Sequence, residues 1–278
     1  MSKNRSNGSF ISALPWIGPA IVLILGVVVW PAIELVKISF TKINSAGQLG
    51  GFTGFENFKT LLANPNLPVI AIRTVIWMVL VVGITVIVSL PIAQLINQEF
   101  PGRKVVRWAL IVPWAASVVM SSIIWKWILD LSSGALNLVL TQLGIQSEAV
   151  DWLHDPRFSF YVLVFVAVFV SVPFTSFVLL AGLQSIPADL SEAASVDGAS
   201  PWQIYRRIKF PLLRNALGIA TIINLINVFN SFPIIWAMTR GGPGYDTDTT
   251  TTFAYKMAFI EYNMGPSTAL GALNFVFI

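Results

Sequence analysis

Four polar side chains, Asn224, Asn227, Asn230 and Ser231, interrupt an otherwise apolar run from Ala216 to Met238. At 3.6 residues per turn, positions 224, 227 and 231 share one face of a helix and 230 lies beside it. Amides and hydroxyls donate and accept hydrogen bonds without imposing charge, so this group suits a neutral, hydroxyl-rich ligand. The same residues are equally suited to holding helices together, because polar side chains hydrogen-bond across helices in a membrane. Bond-breaking chemistry has little to work with. The chain has no cysteine and a single histidine, His154, which falls in a loop beside Asp155-Pro156 and reads as a contact residue. No phosphate-cradling Gly-x-x-x-x-Gly-Lys-Ser/Thr occurs. Neither a catalytic group nor a metal site is expected.

A second polar stretch, Pro187 to Pro211, separates two long apolar runs and describes two short helices with a bend between them. Pro187 suits a first helical turn, and Leu190, Ala193, Ala194 and Val196 give that helix a partly apolar surface. Gly198 follows as a residue able to take positive φ. Ser200 then reads as a new N-cap, with Pro201 after it and Gln203 completing a capping box. The second helix runs through Ile204 and Ile208 and is expected to kink near Pro211. Small alanines leave room for another protein surface.

The elements that must position these residues are membrane spans. Of 278 residues, 55% are hydrophobic and 11% charged, against about 25% charged in a soluble domain. The fold expected is all-α: a polytopic membrane protein, a single domain over 1–278. Its six transmembrane helices fall near 16–36, 69–96, 108–129, 158–183, 216–238 and 264–278. A span needs about 20 residues at 1.5 Å each. The sixth run offers only about 22 Å of helix by that measure, cut short at Ile278, so the natural chain is expected to continue. Orientation follows Lys and Arg. Segments 1–15, 97–107 and 184–215 carry nine of them, among these Lys3, Arg5, Arg103 and Arg206, whereas 40–68, 130–157 and 239–263 carry five. That places the N-terminus and the 187–211 loop in the cytoplasm. Trp30, Trp108, Trp125 and Trp127 read as interfacial anchors, and Arg73 and Lys126 as side chains that snorkel outward.

Glu192-Ala193-Ala194, then Asp197-Gly198-Ala199, then Ile208 and Pro211, resemble the EAA loop of the inner-membrane permeases of binding-protein-dependent ABC importers. The resemblance extends to Gly54-Phe55-Glu56-Asn57-Phe58, to Gly134 through Asn137, to Asp151 through Pro156, and to Thr239-Arg240-Gly241-Gly242-Pro243. It covers nearly the whole chain and is closest to the maltose- and glycerol-phosphate-type permeases whose outer turn carries Gly-Gly-Pro. The resemblance implies a type I ABC importer permease core and an ATPase-coupling role for Glu192, Ala193, Ala194, Asp197, Gly198, Ala199, Ile208 and Pro211. It places Asn224, Asn227, Asn230 and Ser231 on the substrate path, together with Ser171 and Phe174 of the fourth span. There the chain departs from the pattern, because Ala167 and Val170 offer nothing polar.

It also implies partners: a second permease, with a heterodimer expected; two ATPase subunits that bind ATP and Mg; an extracytoplasmic solute-binding protein; and a carbohydrate or polyol as solute. No cofactor is expected in this chain and no nucleic-acid partner. The location implied is the bacterial or archaeal cytoplasmic membrane, with lipid around the spans. Two other readings compete. An ion-coupled secondary carrier predicts ionisable residues inside spans and inverted repeats, and neither is visible. A non-transporting assembly subunit accounts for the spans but leaves the two-helix loop without a purpose. A reporter near Ser45 or Ser147 is expected to be reached only from outside, and one near Ser200 only from the cytoplasm; impermeant labelling of intact cells and inverted vesicles checks this.

Overall fold

Proline decides where the long helices of this chain change course. A computed structural model describes the backbone of residues 6–44 and 46–278, with side chains from Leu14 onward. Lys3 and Arg5 of the charge count and the reporter position Ser45 lie outside the described residues. Two compact units are formed, one by residues up to 67 with 254–278, the other by 68–253.

In the first unit, α1 (Ser6–Leu23) passes through a π-helical turn at Ile24–Val29 into α2 (Trp30–Ser39). The widened turn ends two residues before Pro31, which brings no N–H to the carbonyl four residues earlier. Trp16, Val22, Leu23 and Val27 on this path are all exposed within the chain, a surface that is stable only against hydrocarbon or another subunit. A hairpin follows, β1 (Thr41–Ile43) antiparallel to β2 (Leu49–Phe52), with Thr41 opposite Phe52 and Ile43 opposite Leu49. α3 (Glu56–Leu62) is tied back by buried Asn57, whose amide donates to the carbonyls of Ser39 and Thr41, each at 2.9 Å. The helix Met264–Phe277 packs against α2 and α3.

The second unit is built on α4 (Leu67–Asn97) and α8 (Ser159–Gln184), both long and apolar enough to cross a membrane. Neither shows an amphipathic pattern, so the packed face is marked by other means. On α4 it runs through Ile70, Thr74, Trp77, Val81, Thr85, Ser89 and Ala93, spaced three or four apart and rich in small or hydroxyl side chains. One core cluster surrounds Trp77, Val81, Leu163, Val228 and Ile235; another gathers Ile96, Leu179, Leu183, Leu213 and Ala220.

Two runs expected as single spans are interrupted. Within 108–129, α5 (Arg103–Ala115) and α6 (Val118–Ile128) meet at 98°. Pro113 weakens the last turn of α5, Ala116 is extended, and Ser117 caps α6 by accepting from the Met120 N–H at 3.1 Å. Within 216–238, α12 (Arg214–Phe229) stops at Asn230 and α13 (Phe232–Met238) restarts with Pro233 in its first turn. At the opposite end of α4, the Ile96 carbonyl accepts from Arg103 Nε at 2.8 Å and Arg107 Nη2 at 3.3 Å. Those cations sit where a helix C-terminus favours positive charge.

Two interfacial assignments are corrected. Trp125 is not an anchor: its ring meets Phe165 and Phe169 edge-on at 5.1 and 5.3 Å, against the core. Arg73 does not snorkel; it donates to the Tyr245 carbonyl and pairs with Asp246 at 3.3 Å. A bound carbonyl and carboxylate outcompete water for it.

The α6–α8 connection is held by its own hydrogen bonds. Asp130 accepts from the N–H and hydroxyl groups of Ser132 and Ser133. The Ser133 N–H leads in holding its carboxyl down to about 2. α7 (Ala135–Gln142) carries Asn137, whose Oδ1 accepts from Gln146, Val150 and Trp152 while its Nδ2 donates to the carbonyls of Asp130, Leu131 and Val150.

α8 and α12 approach to backbone contact at Gly182, where an added Cβ would collide with the Ala216 methyl. Gly182→Ala is expected to destabilise the chain by about 1–3 kcal/mol through overpacking. The double variant Gly182→Ala/Ala216→Gly should recover most of that loss. Thermal unfolding in detergent, arranged as a double-mutant cycle, checks the coupling.

Candidate functional site

Both helix breaks of the second unit open onto one cleft of about 370 Å³. α5 and α6 contribute Trp114, Ala116 and Val118; α8 contributes Ala167, Val170, Ser171 and Phe174; α12 and α13 contribute the asparagines, Ser231 and Ile234. Among the described residues, no ionisable side chain lines it. Trp114 and Phe174 stack at 6.4 Å with an interplanar angle of 27°, giving the cleft one aromatic wall. Discontinuous helices around a polar, charge-free cleft are a recurrent way for membrane transporters to hold a solute.

All six residues expected on the substrate path line this cleft, but they do different work. Asn224 is buried and donates to Thr175 Oγ1 at 2.8 Å and to the Ala220 carbonyl at 2.9 Å. Thr175 in turn donates to the Ser171 carbonyl, and Ser171 Oγ to the Ala167 carbonyl. This ladder fastens α12 to α8. Ser231 donates to the Val228 carbonyl at 2.6 Å and accepts from Trp77 Nε1 at 2.8 Å. Asn230 donates to the Ile226 carbonyl. Asn227 and Asn230 are both exposed, and of the four Asn227 alone has no hydrogen-bond partner among the described residues. Asn224 and Ser231 thus hold helices together, while the Asn227 amide lines the cleft unengaged.

Two contributors escape a reading of the sequence. Trp77 looks like one more apolar residue in α4, and its indole N–H finds Ser231 only in three dimensions. Trp114 follows Pro113, and that pair is the available signal for a break that turns an aromatic ring inward. Ser117, Ser121 and Ser122 stay off the cleft: the first is a cap, and the others are buried in α6.

The 187–211 stretch forms α9 (Ala188–Val196), a turn, and α10 (Pro201–Ile204), which continues through a π-helical turn (Tyr205–Lys209) into α11 (Phe210–Leu212). Gly198 has φ +81, and the Ala199 N–H closes the turn on the Ala194 carbonyl at 2.9 Å. The capping box is complete: Ser200 Oγ accepts from the Gln203 N–H, and Gln203 Oε1 accepts from the Ser200 N–H at 2.7 Å. The helical path runs past Pro211 and bends by 61° only at the start of α12. Ile208 is half-buried, while Glu192, Ala193, Asp197 and Gly198 are exposed beside Val196 and Trp202. The turn after α13 places Arg240 at φ 52 and Gly241 at φ 80, before a cis Gly242–Pro243 bond. Thr247 Oγ1 donates to the Gly242 carbonyl at 2.8 Å, and Gly241, Gly242 and Pro243 do not reach the cleft.

The sequence model of binding-protein-dependent transport system inner membrane components matches residues 85–278. The chain belongs to that family. Its members are permease subunits, not enzymes, and the protein is accordingly a multi-pass inner-membrane permease. A probable ABC transporter permease of Brucella suis is 42% identical, over 92% of this chain and 88% of that one. A trehalose/maltose transport system permease of Thermococcus litoralis is 32% identical, covering 94% and 87%. Among solved structures, a bacterial alginate ABC transporter in complex with an alginate pentasaccharide-bound periplasmic protein superposes with a TM-score of 0.81. There the identity is 25%, over 95% of this permease and 88% of that chain.

The split of roles is testable. Asn227→Ala is expected to weaken solute uptake by the equivalent of about 0.5–1.5 kcal/mol while leaving the unfolding midpoint unchanged. Asn224→Ala should lower that midpoint instead, through a stability loss of about 1–3 kcal/mol, because the buried Thr175 hydroxyl loses its donor. Uptake into vesicles and thermal melts of the same preparations separate the two.

Proposed function

We propose that this permease is the transmembrane subunit of an importer for an uncharged carbohydrate or polyol. One observation carries the reading: the cleft at the two helix breaks offers amides, hydroxyls and an aromatic wall but no charge. A ring sugar presents the matching chemistry, with hydroxyl groups around its edge and C–H faces that lie against aromatics. The trehalose/maltose permease and a diacetylchitobiose permease of Streptomyces coelicolor support a carbohydrate as the solute. The alginate transporter, captured with its periplasmic protein, supports delivery by an external binding protein.

On this reading a second, non-identical permease completes the pathway, and two ATPase subunits dock from the cytoplasm on α9–α11. The N-terminus lies on the same side, as the Lys and Arg distribution favours. The docking surface is a turn fixed by Gly198 and a capping box, with exposed Val196 and Trp202 to bury in a partner groove. ATPase closure would displace this rigid turn. The bend into α12 would pass that displacement to the helix that carries Asn227, coupling two states through one element.

The solute is identified by uptake into vesicles holding the complete importer and its binding protein, with neutral di- and trisaccharides, sorbitol and a uronate as probes. Accumulation of the uronate alone would overturn the neutral-solute reading. Coupling is tested at Gly198, where valine brings a β-branched side chain to a positive φ at a cost of roughly 1–3 kcal/mol. Gly198→Val should insert and pair normally yet lose transport, with ATP hydrolysis either lost or unresponsive to the loaded binding protein. Full stimulation with intact transport would return the 187–211 loop to a mere connector.

A further inference from the structure

The connection between α6 and α8 divides sharply in composition. From Leu131 to Ser147 it holds no Asp, Glu, Lys, Arg or His, whereas Glu148, Asp151, His154, Asp155 and Arg157 crowd the residues just after it. A water-exposed protein surface carries charge at about one residue in four. α7 lies in the charge-free half. One side of it is held by Leu136, which packs on the core of its unit, and by the Asn137 hydrogen bonds. The other side, continued beyond its last turn, presents Leu138, Val139, Leu143 and Ile145 at 60, 47, 67 and 68% exposure.

We propose that α7 lies along the membrane–water boundary with these four side chains in the acyl region of one leaflet. Its depth follows from connectivity: α6 and α8 belong to spans, and α7 joins their neighbouring ends. Exposed Trp127, Phe158 and Tyr161 mark the same level, where aromatic residues concentrate. Eight residues make about 12 Å of helix, too short to cross and long enough to lie flat. Trp127, in the last turn of α6, and Leu131, between α6 and α7, are exposed apolar side chains as well. A docked protein would instead be met by a polar rim, and here the charges stand outside the face, at Asp130, whose carboxylate is taken up by Ser132 and Ser133, and from Glu148 onward. Held by lipid on one side and by Asn137 on the other, α7 fixes how deep the ends of α6 and α8 sit. The inference rests on the membrane location of the family and is independent of the solute.

The absence of cysteine makes the test direct. The full chain, carrying a single cysteine as Val139→Cys, Leu143→Cys, Ser147→Cys or Glu148→Cys, is spin-labelled in bilayers of phosphatidylethanolamine and phosphatidylglycerol. Collision with oxygen and with a water-soluble nickel chelate is then read by power saturation. Labels at 139 and 143 should meet oxygen several-fold more than nickel, and labels at 147 and 148 the reverse. Nickel access at 139 and 143 equal to that at 147 would overturn the proposal, because the face would be in water. Protection from both reagents would overturn it in favour of a protein partner. Wild-type unfolding midpoints in the labelled variants ensure that either result speaks of the native fold.

Discussion

The Val228 carbonyl, near the end of α12, accepts from the Ser231 hydroxyl and from the Trp77 indole, and the cleft depends on that arrangement. A helix that ends within a membrane leaves carbonyls that water cannot reach, and each unmet one costs several kcal/mol. Asn230 meets the Ile226 carbonyl in the same way. With its backbone groups satisfied locally, the chain can stop one helix and start another inside a span, and the gap opens onto the cleft. Apolar residues at 230 and 231 would remove these local partners while Pro233 kept the helix from continuing.

The prolines answer the same constraint differently. Before Pro31 and before Pro211 the helix widens into a π turn that ends two residues ahead of the ring. At Pro113 the helix breaks and Ser117 caps the next one. Pro91 and Pro173 stay inside continuous helices whose other contacts hold them straight enough to span. One residue type therefore gives three outcomes, decided by what its neighbours can supply.

The range over which each residue acts decides how legible it is in the sequence. Ser200, Gln203 and Gly198 act within a few residues of themselves, so the cap and the turn can be read from the chain alone. The spacing of Asn224, Asn227 and Ser231 reveals the shared face but not the division of labour, because the partners Thr175 and Trp77 lie about 50 and 150 residues away in the chain. Trp125 and Arg73 mislead for the same reason. Near a span end, an aromatic or a cation in isolation reads as an anchor, and only a distant Phe165 or Asp246 makes it a packing or ion-pair residue. The interruption within 108–129 is hidden by composition, since both halves are apolar enough to pass for one span.

The contact of the Gly182 backbone with the Ala216 methyl has a mechanical corollary. With so little side chain between them at that point, α8 and α12 have a close contact there that can serve as a pivot. Asn227 stands eleven residues along α12 from Ala216, a lever arm of about 16 Å at 1.5 Å per residue. A swing of about 10° about the pivot would carry the free amide by about 3 Å, close to the length of one hydrogen bond. On the proposed function, a small angular input at the base of the helix would thus be enough to make or release a contact with a solute hydroxyl.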